Sequence, residues 1–358
     1  MRDAPQVAGL PSTSASRRTA VLAGVVTLLL AAALLTWSKY LPYSVKVPAV
    51  LRSSDPGGSI LDAGGPAAAA PSLAAGWSFT VAYLAGVWKA LVAGLVVAAA
   101  VQVLLPRSWL RCALGSPEAR SGGLRGSLIG VLTLMCSCCA APVAVALRRA
   151  RAGLPASVGF WLGNPALNPV VVVLFLAVLP WQWAALRLVA GVLVVGVGIA
   201  LARLEERTGA DQGQVDAVSA PAEVGGSLVV AYGRTLGGLA VRLLPEFLAV
   251  AFLLGTFRSE LFPLGDTSGG TLVLVLALVV AGLLLPVPTG GEVAVVAGLL
   301  AAGLPVAAAA ALAVTLPLLS LPSLLMVRHV FPGRLVLRLG GLVAGVGLLS
   351  AAVLPALL

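Results

Sequence analysis

Cys136, Cys138 and Cys139, with Ser137 between the first two, lie inside an apolar stretch from Gly126 to Leu147, and Pro142 stands just beyond them. Thiols are soft ligands suited to Cu(I), Zn(II), or trivalent arsenic and antimony. A proline removes a helical hydrogen bond, and broken backbone at membrane depth is found where it lines a cavity or a substrate site. If the Cys-Ser-Cys-Cys run is the turn of a helical hairpin, the helix resuming near Ala141 aims its free N–H groups and positive dipole end at the thiols, which favours thiolate. One buried cysteine reads as a small hydrophobe; three beside a helix break read as a binding site.

Other residues could act with them. Asn164-Pro165-Ala166-Leu167-Asn168-Pro169 lies within a second apolar segment, where two prolines free carbonyls that the asparagines can satisfy, or the asparagines line a pathway. Pro317 to Pro322 is a weaker echo later in the chain. The Asn-Pro-Ala triplet occurs once, which argues against a water channel built on two such half-helices. Glu292 follows a Pro-Val-Pro-Thr-Gly-Gly run and is a candidate for proton coupling or cation binding, or a cap on the helix after it. Lys89 and Glu246 stand at equal distances before Pro106 and Pro263, so a pair across a pseudo-two-fold axis is expected, with snorkelling of Lys89 as the alternative. His329 and Cys112 read as interfacial and incidental.

The elements that must position these groups are apolar helices. The chain has 358 residues, 59% of them apolar and 10% charged, the composition of an all-α polytopic membrane protein. Its net charge of +10 is spread between hydrophobic runs rather than gathered on one face, so it reports membrane orientation and not nucleic acid. Three crowded cysteines are no disulfide framework. There is no phosphate-binding Gly-x-x-x-x-Gly-Lys-Ser/Thr and only one histidine, so no cofactor is expected and the chain does not read as an enzyme or an ATP-driven pump.

Residues 1–40 read as a retained signal-anchor helix with a cytoplasmic N-terminus, because no small-residue cleavage site precedes Trp37 and Lys39. Residues 41–75, rich in Pro, Gly, Ala and Ser, read as an extracytoplasmic loop. Two sets of four apolar segments follow, residues 76–204 and 227–358, joined by a polar cytoplasmic linker, 205–226. Ala152-Gly153-Leu154-Pro155 matches Ala302-Gly303-Leu304-Pro305, and Val143-Ala144-Val145 matches Val293-Ala294-Val295, both at an offset of 150. That register sets Glu292 opposite Pro142 and makes the two sets repeats.

If every segment crossed, giving nine spanning helices, Arg148, Arg149 and Arg151 would face outward against the positive-inside tendency. Treating Gly126–Leu147 and Thr271–Leu300 as re-entrant hairpins gathers most basic residues on the cytoplasmic side. Each half then has three crossings, so the second is inverted and the hairpin tips meet near the midplane. The expectation is about seven transmembrane helices plus two re-entrant hairpins in two inverted repeats, with the C-terminus extracytoplasmic. Thr271–Leu285 is long for half a crossing.

The ordered run from Cys136 through Pro142, Arg148-Arg149 and Gly153 to Asn164-Pro-Ala-Leu-Asn-Pro169 resembles the predicted permease family that includes the organoarsenical efflux permeases. The resemblance implies a plasma-membrane permease, in some members exporting trivalent organoarsenicals through cysteine contacts. By this match Cys136, Cys138 and Cys139 would contact substrate, with Pro165, Asn168 and Pro169 shaping the pathway. Cys139 departs from the small residue usual at its place, which draws the expected preference toward a metal ion. The function expected is a secondary permease exporting a thiophilic metal or metalloid species, with the lipid bilayer and that small substrate as partners. A membrane thiol–disulfide oxidoreductase, which lacks a partner cysteine in the second half, and a non-transporting subunit of an envelope complex are the rivals. Homo-oligomer or envelope partner stays open.

Overall fold

The computed structural model describes residues 13–59, 71–105, 121–208, 228–257 and 270–358, with the single positions 110, 113, 114 and 260. Every regular element among them is helical. Among the described residues seven stretches are long and apolar enough to cross a bilayer: Val21–Ser53, Leu73–Val103, Leu154–Val178, Trp181–Arg207, Leu228–Thr256, Val306–Val327 and Gly333–Ala356. The protein is an all-α polytopic membrane protein. Cys112 and most of the expected linker lie outside the described residues.

The first span is α1 (Thr13–Leu35), a π turn (Thr36–Tyr40) and α2 (Leu41–Ser53) in unbroken succession. Leu41–Ser53 is therefore helix, where the sequence reading began a loop. Pro42 falls in the first turn of α2, where a missing N–H matters least, and packing of α2 on a later helix outweighs the poor propensity of Pro48. The second span is α3 (Leu73–Val103), capped by the Ser72 hydroxyl, which accepts from Ala75 N–H.

Next comes α4 (Gly122–Thr133), a turn over Leu134–Cys136, and α5 (Ser137–Arg149). They are followed by α6 (Leu154–Ala166) and α7 (Pro169–Val178), one span broken at Leu167 and Asn168, and by α8 (Trp181–Arg207). The directions define a hairpin. Gly122 and Gly126 of α4 lie against Ala156 near the start of α6, while Gly130 lies against Phe160 and Asn164 toward its end, so α4 and α6 run parallel. α5 runs back: its first residue, Ser137, sits beside Trp161, and its last turns directly into α6. The pair thus enters and leaves on one face, with its tip level with the α6/α7 break. Arms of 12 and 13 residues reach about 18–20 Å, short of a hydrocarbon core of about 30 Å.

The second half repeats this order: α9 (Leu228–Thr256), hairpin arms α10 (Gly270–Leu284) and α11 (Gly291–Ala301), the broken span α12 (Val306–Leu318) and α13 (Leu321–Val327), and α14 (Gly333–Val353). Val306 corresponds to Leu154, Leu321 to Pro169 and Gly333 to Trp181, so the structural offset is 152 from the broken span onward. The turns before α6 and α12 agree: Ala152 N–H bonds Leu147 O, and Leu304 N–H bonds Leu299 O. The Ala-Gly-Leu-Pro match at 150 therefore pairs residues two places out of register, a coincidence that small-residue composition permits. Glu292 lies opposite Ala140, not Pro142.

The halves are inverted. The equivalent helices α8 and α14 run antiparallel, joined at one end by the Glu205–Arg338 ion pair and at the other by Gln182 reaching Leu357 O. α3 and α9 run antiparallel too, with Gly76 against Thr256 and the Tyr232 hydroxyl on Val96 O. The second hairpin accordingly enters from the opposite face. At 15 residues α10 is longer than α4, and its tip spans Leu285 to Gly290 instead of three residues.

Candidate substrate site at the hairpin tips

The first tip is built from a strained turn and a helix start. Leu134 ends α4 with φ +51°, a left-handed conformation uncommon outside glycine, and Cys136 is extended and forms the N-cap of α5. Ser137, Cys138 and Cys139 therefore occupy the first turn of α5, where backbone N–H groups lack intrahelical partners. The Cys136 sulfur lies 3.2 Å from that of Cys138 and 3.0 Å from that of Cys139. All three side chains are buried, and their Sγ atoms lie within 4.8 Å of one another.

Neighbouring spans lock this turn. Asn164 Oδ1 accepts from Met135 N–H and from the Thr133 hydroxyl, and its Nδ2 donates to Phe160 O. Trp161 Nε1 donates to Ser137 O at 3.1 Å, and the Ser137 and Ser320 hydroxyls are 3.3 Å apart, tying the tip to the α12/α13 break. The Tyr83 hydroxyl stands 3.1 Å from Cys138 Sγ, its ring stacked on Phe247. Gly94 of α3 faces the Cys139 carbonyl with no room for a Cβ.

The second tip carries no thiol. Gly290, with φ +79°, caps α11, and Gly291 N–H bonds Pro288 O. Glu292 is buried in the first turn of α11, and its Oε2 has no hydrogen-bond partner. It lies within charge–charge reach of Arg187. Arg187, also buried, donates through Nη2 to Pro165 O, while its Nε and Nη1 are unpartnered. In a continuous helix the Pro165 carbonyl would take the N–H four residues on, but Pro169 has none, so the guanidinium supplies that donor. Asn168 caps α7 by accepting from Val170 N–H, and its Nδ2 has no partner. The first span reaches this tip: Lys39 Nζ donates to Thr289 Oγ1 at 3.3 Å, and the Tyr43 hydroxyl to Thr289 O at 3.2 Å.

The expected Lys89–Glu246 pair does not form. Lys89 sits over the rings of Trp37 and Trp88, at 5.7 and 5.8 Å from their centroids, whereas Glu246 pairs with Arg328 at 2.8 Å and faces His329. Equal spacing from two prolines did not fix depth, because α3 ends at Val103, three residues before Pro106, whereas α9 ends at Thr256, seven before Pro263. Burial and then the facing Arg242 charge hold the His329 imidazole below its ordinary value, with Glu246 acting the other way. Lys39, Arg187, Tyr83, Trp161 and Ser320 were not singled out from sequence. In the sequence Lys39 and Arg187 stand near the ends of apolar runs, where a basic residue reads as an orientation signal, and nothing local shows their burial.

Seven spans, two opposed helical hairpins and a polar cluster at the tips define a permease-type membrane protein. The pattern of the predicted permease family matches residues 72–355, and the chain belongs to that family. It is 38% identical over 273 residues to the UPF0718 protein YraQ of Escherichia coli (strain K12), covering 76% of this chain and 78% of that protein. No solved structure matches the chain.

Proposed function

We propose that the protein is a secondary permease of the plasma membrane that exports a thiophilic metal or metalloid species, such as a trivalent organoarsenical, through Cys136, Cys138 and Cys139. The observation that carries this reading is the convergence of three buried sulfurs at a helix break between two inverted halves. A soft ion about 2.3 Å from each sulfur would hold them about 4 Å apart, a small spreading of the present cluster. Asn164 and Pro165 hold the tip and the broken span in place, and Asn168 and Pro169 shape the adjoining pathway. Glu292, an ionisable group with an unpartnered oxygen near Arg187, is the candidate for exchanging a proton during the cycle.

The test is binding of Cu(I), Zn(II), arsenite and a trivalent methylarsenical to purified protein, followed by flux in liposomes. Wild type should bind one of these and the Cys136/Cys138/Cys139→Ser protein should not. Equal binding by both would remove the thiols from the transport site.

A further inference from the structure

Two side chains at the α6/α7 break carry donors that no acceptor meets. Arg187 is 1% exposed and uses one of its three nitrogens, Nη2, on Pro165 O. Its Nε and Nη1 have no partner among the described residues. Asn168, also 1% exposed, uses its Oδ1 to cap Val170 N–H, and its Nδ2, on the other side of the amide, is unpartnered too. A buried donor without an acceptor is costly, and a guanidinium more so, which marks such atoms as contacts for water or an ion.

The two side chains share one level in the fold. α7 and α8 are joined by a short turn at Leu179 and Pro180, so they run antiparallel. Gly191 of α8 faces Ala166 O with no room for a Cβ. Arg187, one turn earlier, therefore stands level with the first turn of α7, whose N-cap is Asn168. The orphan N–H groups and positive dipole end of α7 face the same level.

The second hairpin tip approaches this level from the other side. At offset 152 the Ser137–Ser320 contact of the first tip has Thr289 and Asn168 as its counterparts. Gly290 lies against Leu174 of α7, and α2, whose Tyr43 hydroxyl holds Thr289 O, packs on α7 as well. Lys39 holds Thr289 Oγ1, and Glu292 follows in the first turn of α11. Among the described residues the tip thus gathers Arg187 and Lys39 against the one carboxylate of Glu292. Three unpartnered nitrogens and a surplus of positive charge in a buried place suit an anion and repel a metal cation. The enclosure of Arg187 and Asn168 suits a compact inorganic anion better than an organic one.

We propose that Arg187 and Asn168 form a site for a small inorganic anion such as chloride, where the second hairpin tip meets the α6/α7 break. Arg187 supplies Nε and Nη1, Asn168 supplies Nδ2, and Glu292 competes with the anion for the guanidinium. No thiol takes part, so the site stands whether or not the protein exports a thiophilic species.

The experiment is chloride NMR line broadening by purified full-length protein in a non-ionic detergent, with bromide added as competitor. Wild type should broaden the chloride line, and bromide should reverse the effect. Arg187→Gln should weaken binding at least about tenfold, and so should Asn168→Asp, which keeps a cap for Val170 N–H but removes the donor. Glu292→Gln should tighten binding, and Lys89→Met should leave it unchanged. The Cys136/Cys138/Cys139→Ser protein should bind chloride as wild type does, so loss of anion binding and loss of thiol-dependent binding are separate results. Thermal unfolding of each variant confirms that folded protein is compared, and two donor variants guard against one that does not fold. A wild type without bromide-sensitive broadening overturns the proposal, leaving these donors to water. A folded Arg187→Gln or Asn168→Asp protein that broadens the line as wild type does overturns it too, placing the chloride on exposed basic residues.

Discussion

The two hairpin tips occupy equivalent places in inverted halves, and their chemistry is divided between them. One carries three sulfurs on the first turn of α5; the other carries Thr289, Gly290 and Glu292 on the approach to α11. The supports differ likewise. Asn164, whose amide binds both the first tip and the backbone of α6, corresponds at offset 152 to Leu316, which is buried and apolar. Arg187, which serves the Pro165 carbonyl, corresponds to Leu339. The fold keeps the symmetry that inverted topology requires, while the polar side chains at the two tips are asymmetric. A scaffold can be duplicated and its two tips then assigned separate tasks.

The division can be broken at several points. Replacing all three cysteines by serine should abolish binding of the thiophilic species, and each single replacement should weaken it at least about tenfold, or about 1.4 kcal/mol, read by equilibrium binding to purified protein. Glu292→Gln should remove the pH dependence of flux in liposomes and leave thiol-dependent binding intact. A binding loss equal to that of the cysteine variants would show that the two tips share one task. Asn164→Leu, which makes the first half resemble the second, should leave Met135 N–H buried and unpaired and destabilise the fold by about 1–3 kcal/mol, seen as a lower unfolding temperature in detergent. Lys89→Met and Glu246→Gln, both away from the tips, should change stability by no more than about 0.5 kcal/mol and leave binding unchanged.

Much of this architecture is visible in the residues themselves. Apolar runs, positive charge on alternate loops and a thiol-rich break suffice to infer the spans, the first hairpin and the inversion, because each rests on partition between lipid and water. Finer register is not legible. Ala-Gly-Leu-Pro recurs at 150 while the hydrogen-bonded turns recur at 152, since small residues repeat by chance and backbone geometry does not. The roles of Lys39 and Arg187 are hidden for a different reason. Their burial is produced by segments distant in sequence, α3 and the second hairpin tip for one and the broken α6/α7 span for the other. Lys89 shows the converse: a lysine well inside an apolar segment that rests its ammonium on two tryptophans.

The glycine-lined contact between α4 and α6 sets a mechanical limit on the molecule. Gly126 and Gly130 press on α6 backbone carbonyls, and Gly159 and Gly163 press back on those of Gly123 and Ser127, with no side chains between to act as bearings. Such a joint transmits torque without slipping, so the thiol hairpin and α6 must travel as one lever. In the opposing hairpin Gly282 meets the Thr315 side chain rather than a backbone carbonyl, and the tip hangs on side chains such as Thr289. If the proposed transport cycle exchanges the open face, the seam that yields is the one crossed by the Ser137–Ser320 and Lys39–Thr289 contacts, where a hydroxyl or an ammonium can exchange one partner for another.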